Sequence, residues 1–264
     1  MKKILVTGAA GGMGMAITKK LTKRGYFVFA MDCRDFDAPE NTEKIICDVR
    51  SSESVREAFS KVKSHCDTLA AIVHTAGIYD LDSLVEMSEE RFLRIFDINL
   101  FGLYRLNKEF LPLLKKGSKI VITSSELAPL DPLPFTGIYA ITKAAVEKYA
   151  YSLRMEMNLL GIKVSVIRPG ATKTPLLGDS TGALDKFVAN TKIYKTNSKR
   201  FKKIVDGVEA KNVEPDVIGR VACRIIRSKM PRYVYNINRN PLLLILNALP
   251  QRLQNFIIKM ILTK

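Results

Sequence analysis

A chain of 264 residues, 47% of them hydrophobic, is long enough to bury a full core, and its composition excludes a disordered or fibrous protein. Its four cysteines, Cys33, Cys47, Cys66 and Cys223, form no CxxC pair, which argues against a disulfide framework and for a reduced, cytoplasmic setting. The net charge of +16 is concentrated late in the chain, where residues 186–264 carry 17 Lys/Arg against 4 Asp/Glu; a solvated surface is the favoured reading, an anionic partner the alternative, and no nucleic-acid-binding module is recognisable.

The opening MKKILVTGAAGG is basic, but its apolar run stops at Thr7-Gly8, short of the roughly 7–15 residues of a signal-peptide core. It reads as a strand, Lys3–Val6, entering a glycine turn. Met13–Arg24 has helical spacing, with Met13, Ile17 and Leu21 on one face. Strands follow at Phe27–Met31 and Lys44–Cys47, a helix at Ser52–Lys63 and a strand at Ala70–His74. A long helix is expected over Ser88–Leu114, a strand over Lys119–Thr123, a helix over Tyr139–Leu160 and a strand over Lys163–Ile167. Apolar strands alternating with helices predict an α/β protein: one doubly wound parallel sheet with helices on both faces. A single domain over residues 1–264 follows, since no linker, repeat or low-complexity tract interrupts it.

Two segments break the rhythm. Thr174–Asn212 is polar and basic and reads as a substrate lid, with or without short helices. Residues 232–264 form a C-terminal extension containing Leu242–Leu246 and Phe256–Leu262. The uncharged stretch Asn240–Gln251 is too short to cross a bilayer, which takes about 20 apolar residues. Leu242–Leu246 reads as a docking surface or dimer contact ahead of a membrane contact.

Three features carry chemistry. Strand, Thr7-Gly8-Ala9-Ala10-Gly11-Gly12-Met13-Gly14 and helix are the order a pyrophosphate needs, because glycines let backbone N–H groups approach it and the helix dipole favours its charge. Asp32 lies 18 residues beyond Gly14, after the second strand; a carboxylate there accepts the adenosine ribose hydroxyls and repels a 2′-phosphate, favouring NAD over NADP, with Arg34 as the residue that would argue the other way. Tyr139 and Lys143 are spaced i, i+4 on one helix face, with Ser125 ending the strand before them. A phenol with a reference pKa of about 10 becomes a usable base when an ammonium and an oxidised nicotinamide stabilise its phenolate. The two histidines, His65 and His74, have no partners at metal-ligand spacing, so no metal site is expected.

On these motifs the chain resembles the short-chain dehydrogenase/reductase family over at least residues 2–180. The resemblance implies a Rossmann-like domain and NAD(P)-dependent hydride transfer between a secondary alcohol and a ketone, or an alcohol and an aldehyde. TGAAGGMG resembles the family's TGxxxGxG turn, which places Gly8, Gly11, Gly12, Met13 and Gly14 at the cofactor with Asp32. Asp48, followed by Val49, resembles the acidic residue at adenine. Ala76 and Gly77 follow the fourth strand, with Thr75 where the family has asparagine. Asn99, Ser125, Tyr139 and Lys143 resemble the catalytic set: Tyr139 the general acid/base, Ser125 the hydrogen-bond donor to the substrate oxygen, Lys143 the ribose ligand and activator, and Asn99 the holder of a relay water. Pro169, Gly170, Thr172 and Thr174 resemble the segment flanking the nicotinamide.

The spacing from Ser125 to Tyr139 is 14, one more than the family's usual 13. Pro129, Pro132 and Pro134 lie between, which fits a one-residue loop insertion, with Ser124 the less favoured serine. Arg232-Tyr233 and Leu249-Pro250 resemble the hydroxysteroid and retinol branch, implying a bulky apolar substrate. A homodimer or homotetramer built on Ser88–Leu114 and Tyr139–Leu160 is also implied. The competing readings are a dinucleotide-binding regulator without turnover and a peripheral membrane or polyanion-binding protein.

Overall fold

The computed structural model describes residues 1–263; the side chains of residues 175–181 and 209 lie outside that description. Seven parallel strands form one sheet in the order β3-β2-β1-β4-β5-β6-β7. They are β1 (Lys3–Thr7), β2 (Phe27–Asp32), β3 (Thr42–Ile46), β4 (Leu69–His74), β5 (Leu114–Thr123), β6 (Lys163–Pro169) and β7 (Val234–Ile237). Ile4, Leu5 and Val6 of β1 and Ile72 and Val73 of β4 have no solvent exposure, as strands covered on both faces require.

Helices fill the two layers. On one side α1 (Gly12–Thr22) packs with α8 (Pro215–Arg227), so that Ile17 and Leu21 meet Ile218, Ala222 and Ile225. Close approach is enforced at Gly219, where a Cβ would lie 2.9 Å from the Ala16 carbonyl oxygen. On the other side α2 (Ser52–His65), α4 (Gly102–Phe110) and α5 (Gly137–Leu159) cover the sheet with Val55, Val62, Leu106, Phe110, Val146 and Ala150. The strand order reverses between β1 and β4, and a ligand crevice belongs at the carboxyl ends of those strands.

The helix expected over Ser88–Leu114 is interrupted. It consists of α3 (Glu89–Phe96), a π-helical turn at Asp97–Phe101, α4, and a 3-10 turn at Leu111–Leu113. The segment expected to be a polar lid is largely helical: α6 (Pro175–Asn190) and α7 (Lys195–Glu209) are joined by a four-residue turn. Leu184, Phe187 and Phe201 pack with Phe135 into a small separate core, which overrides the polar composition. The extension carries α9 (Pro241–Asn247) and α10 (Gln251–Thr263) after β7. Neither α8 nor β7 was expected from the sequence.

Candidate active site

The cleft opens at the carboxyl ends of the central strands, as a cavity of about 180 Å³ lined by Met13, Gly77, Ser125, Tyr139, Lys143 and Gly170 and, higher up, by Phe201, Ile204, Val205, Val208 and Leu243. Its floor is polar and its upper walls are aliphatic and aromatic.

The glycine turn is packed rather than merely flexible. Gly8 has φ +68°, and a Cβ there would lie 2.6 Å from the Ala76 nitrogen. At Gly14 a Cβ would lie 2.1 Å from the Gly8 oxygen, so the turn and the first helical residues can close only without side chains. Helix α1 begins at Gly12 after Gly11, with no side-chain cap and no acidic residue in its first turn, leaving its amide end open to an anion. Asp32 holds this turn to the end of β2: its carboxylate accepts from the Ala10 N–H at 3.0 Å and the Arg34 N–H at 3.0 Å. The Arg34 guanidinium stands over the same carboxylate at 3.4 Å. Asp48 is partly exposed, and its carboxylate is forked by Arg50, whose Nη2 lies 2.7 Å away. Val49 packs under α4, with a Cβ on Gly102 coming within 2.7 Å of it.

Thr75 keeps the second turn closed by donating its hydroxyl to the Thr7 carbonyl at 2.6 Å; the Ala76 N–H donates to the Thr7 hydroxyl at 3.4 Å. Gly77 brings two elements together: a Cβ there would meet Asn99 Oδ1 at 3.1 Å and Lys143 Nζ at 3.5 Å. Asn99 lies inside the π-helical turn, a feature frequent at functional sites. Its amide accepts from the Ile78 N–H at 2.8 Å and donates to the Ile78 carbonyl at 3.0 Å and the Thr142 hydroxyl at 3.1 Å. The side chain expected to hold a relay water therefore braces the β4 turn against α5.

Ser125, Tyr139 and Lys143 are all buried and meet at the cleft floor. Burial pushes the Tyr139 phenol up to about 12; a hydrogen bond with Ser125 opposes the rise and the Glu126 charge adds to it. That is the reverse of the lowering expected from an adjacent ammonium, because Lys143 Nζ stands 5.6 Å from the ring centroid and desolvation dominates. Burial holds Lys143 down to about 8 against the pull of Glu147, and its ammonium reaches the Thr123 carbonyl at 3.4 Å. Ser125 rather than Ser124 is the serine that acts on the tyrosine; its hydroxyl accepts from the Leu127 N–H at 3.2 Å, while the Ser124 hydroxyl is buried without a protein partner.

The loop between serine and tyrosine absorbs its extra length in successive turns, Leu130 N–H to Leu127 O at 3.1 Å and Thr136 N–H to Leu133 O at 3.2 Å. It ends with Phe135 at φ +65°, an unusual conformation for a bulky residue. The Phe135 ring is held between Phe187, Tyr194 and Phe201 at 4.8, 5.2 and 5.4 Å, tying the lid helices to the start of α5. Pro169 and Gly170 form the opposite wall. The Pro169 carbonyl accepts from Glu126 N–H at 2.9 Å, and the Gly170 N–H donates to Ile237 O at 2.8 Å. Thr172 bonds back to Gly170 O at 3.0 Å, and Thr174 precedes α6 without capping it.

Three contributors were missed from sequence. Glu86 accepts from the Thr191 hydroxyl at 2.6 Å and the Lys192 N–H at 2.8 Å, fastening the α6–α7 turn. Glu126 is buried beside Ser125 and accepts the Asn240 N–H at 2.7 Å. Leu243 of α9 supplies part of the cleft wall. All are long-range contacts with no local signature. Of the histidines, buried His74 meets Asn107 at 3.0 Å and His65 meets Glu43 at 3.2 Å on the surface.

Comparison with known proteins places this geometry. The chain is 35% identical over 192 residues to the mouse protein estradiol 17-beta-dehydrogenase 2, covering 67% of this chain but only 50% of that one. It is 26% identical over 231 residues to a 3-ketodihydrosphingosine reductase of Bacteroides thetaiotaomicron, covering 87% and 85%. The fold matches the crystal structure of a 3-ketoacyl-(acyl-carrier-protein) reductase from Brucella melitensis complexed with NADH, with a TM-score of 0.73 at 20% identity over 89% of this chain and 96% of that one. The family model described as short chain dehydrogenase matches residues 2–185. The chain therefore belongs to the short-chain dehydrogenase family of NAD(H)- or NADP(H)-dependent oxidoreductases.

Proposed function

We propose that this protein is an NAD(H)-dependent oxidoreductase that interconverts a bulky, apolar secondary alcohol and its ketone, or an alcohol and an aldehyde, with Tyr139 as general acid/base. The observation that carries the reading is the convergence of Ser125, Tyr139 and Lys143 at the floor of one cleft whose upper walls are Phe201, Ile204, Val205, Val208 and Leu243. Nothing in a purely regulatory dinucleotide site calls for a buried serine hydroxyl and a buried phenol lining one cleft.

The residues present fit a dinucleotide. The uncapped α1 terminus suits its pyrophosphate, Asp32 its adenosine ribose, Asp48 and Val49 its adenine, and Gly77, Lys143, Pro169 and Gly170 its nicotinamide half. When bound, the dinucleotide supplies or accepts the hydride. In reduction Tyr139, neutral at physiological pH, donates its proton to the carbonyl oxygen as the carbonyl carbon gains the hydride. Ser125 hydrogen-bonds that oxygen where charge develops. Lys143 holds the ribose hydroxyls and, with the positive charge of an oxidised nicotinamide, favours the phenolate needed for oxidation. Asn99 keeps Lys143 and the Gly77 turn in register.

NAD(H) is favoured over NADP(H) by the Asp32 carboxylate at the ribose position, which would repel a 2′-phosphate. The apolar upper walls favour a substrate of the steroid or long-chain type named among the relatives. A screen of apolar alcohols and ketones, following NADH absorbance, tests the reading; turnover with no member of either class would contradict it.

A further inference from the structure

Helices α9 and α10 each have two apolar sides, and only the inner one is used by the protein. Inside, Leu243 faces the cleft and Gln254 and Leu262 are buried. The inner sides are also bonded: Gln254 donates to the Leu249 carbonyl at 2.8 Å, Asn197 to the Leu262 carbonyl at 2.9 Å, and the Asp131 N–H to Asn247 at 2.6 Å. The outer sides are thus presented by helices that are already fixed. On α10, Leu253, Phe256, Ile257, Met260 and Ile261 follow the i, i+3, i+4, i+7, i+8 spacing of a single stripe, and Phe256 is 60% and Ile261 52% exposed. On α9, Leu242 and Ile245 are 69% and 62% exposed. Arg252 and Lys259, seven residues apart, line one flank of the α10 stripe.

Charge selects the occupant. Between Asn238 and Thr263, the stretch that carries α9 and α10, the charged residues are Arg239, Arg252 and Lys259, with not one Asp or Glu. A second copy of the chain would bring an equally cationic face against this one, whereas an anionic lipid headgroup layer complements it. A rigid helix with an apolar stripe flanked by cations is the form that lies in a membrane interface, and among the described residues no helix is long and apolar enough to cross one.

We propose that the outer faces of α9 and α10 seat the protein on an anionic lipid surface, the apolar stripe entering the headgroup boundary and the flanking Arg252 and Lys259 facing the phosphates. Because Leu243 belongs to the same short helix as Leu242 and Ile245, this seating puts the cleft wall beside the bilayer. Given the oxidoreductase reading, it lets an apolar alcohol or ketone enter from the lipid.

The test is co-sedimentation with vesicles of phosphatidylglycerol and phosphatidylcholine in equal parts, against phosphatidylcholine alone, at low and high salt. The protein should pellet with the anionic vesicles, less so at high salt, and little with the neutral ones. Phe256→Glu with Ile261→Glu should cut binding at least about tenfold while NADH binding, which this face does not serve, persists. As the chain contains no tryptophan, Phe256→Trp places a single reporter in the stripe, independent of whether the charged variant folds. Its emission should shift to the blue on anionic vesicles and be quenched by bromine-labelled lipid. No pelleting with anionic vesicles, an unshifted emission from the introduced tryptophan, or a native oligomer that dissociates on Phe256→Glu would overturn the proposal, the last by giving the face to a second copy. None of these readouts depends on turnover, so they are separable from failure of the oxidoreductase assignment.

Discussion

Lys143 and Tyr139 are displaced by burial in opposite directions, the ammonium down to about 8 and the phenol up to about 12, so at neutral pH the phenol is protonated and the amine still carries its charge. Lys143 is charged below about 8 and neutral above it. If it holds the ribose, kcat/KM for NADH, which reports the free enzyme, should be level through neutral pH and decline as pH rises past about 8; a level profile through that point would remove Lys143 from cofactor capture. At the other end of the crevice, Asp32→Ala should weaken NADH binding by about 1.5–3 kcal/mol, the range for hydrogen bonds to a charged acceptor. It should also narrow the gap to NADPH by removing the repulsive charge and releasing Arg34. Titration with both cofactors checks this, and an unchanged ratio of affinities would shift discrimination elsewhere. The residues of this site were legible because their chemistry dictates short spacings: a turn of glycines, an i, i+4 pair, a serine ending a strand. What was not legible was the balance of forces on Tyr139. Sequence shows that an ammonium is four residues away, but only the fold shows that desolvation outweighs it.

At the scale of elements, six of the seven strands and the helices α1, α2 and α5 followed from the alternation of apolar strands with amphipathic segments, though β5 begins five residues before the expected Lys119 and neither β7 nor α8 was expected. The misses have separate causes. The π-helical turn at Asp97–Phe101 leaves hydrophobic periodicity almost intact, so a continuous helix was the natural reading. Residues 174–212 read as a polar lid with or without short helices, and what their composition did not show is that Phe187 and Phe201 order them around Phe135. The turn between α6 and α7 is fastened by Glu86, in a segment 105 residues earlier. Glu86→Ala should free that turn, so trypsin should cut at Lys192 and Lys195 faster than in the parent chain and KM for the substrate should rise with little change in NADH affinity. An unchanged cleavage rate would deny Glu86 this role. In β4, burial holds His74 down to about 4 from its usual 6.5. The unfolded chain therefore takes up the proton first as pH falls, so stability is full above about 6.5 and is lost toward pH 4, by about 3 kcal/mol over that window. His74→Gln, which cannot titrate there, should flatten that part of the denaturation profile; an equally steep profile would assign the acid loss to other groups.

For the whole molecule, two surfaces stand out. Phe101 and Tyr104 near α4 and Ile141, Tyr151 and Met155 on α5 are exposed, and we propose that a homodimer covers them; light scattering should give twice the chain mass, reduced to one by Met155→Asp with Tyr151→Asp. The basic, carboxylate-free stretch around α9 and α10 is the other, and its unbalanced charge suits lipid rather than a second copy. The charge asymmetry was visible in the sequence, but its arrangement was not, because only the packed structure separates the inner from the outer side of each helix. Both surfaces would serve one central chemistry, and that chemistry rests on a single phenol. The most direct test is Tyr139→Phe, assayed on any apolar alcohol or ketone that the parent protein turns over, with NADH absorbance as the readout. The ring still packs and the dinucleotide still binds, but the group that exchanges the proton is gone, so turnover should fall at least about 10²–10⁴-fold. Near-parental turnover by this variant would contradict the account.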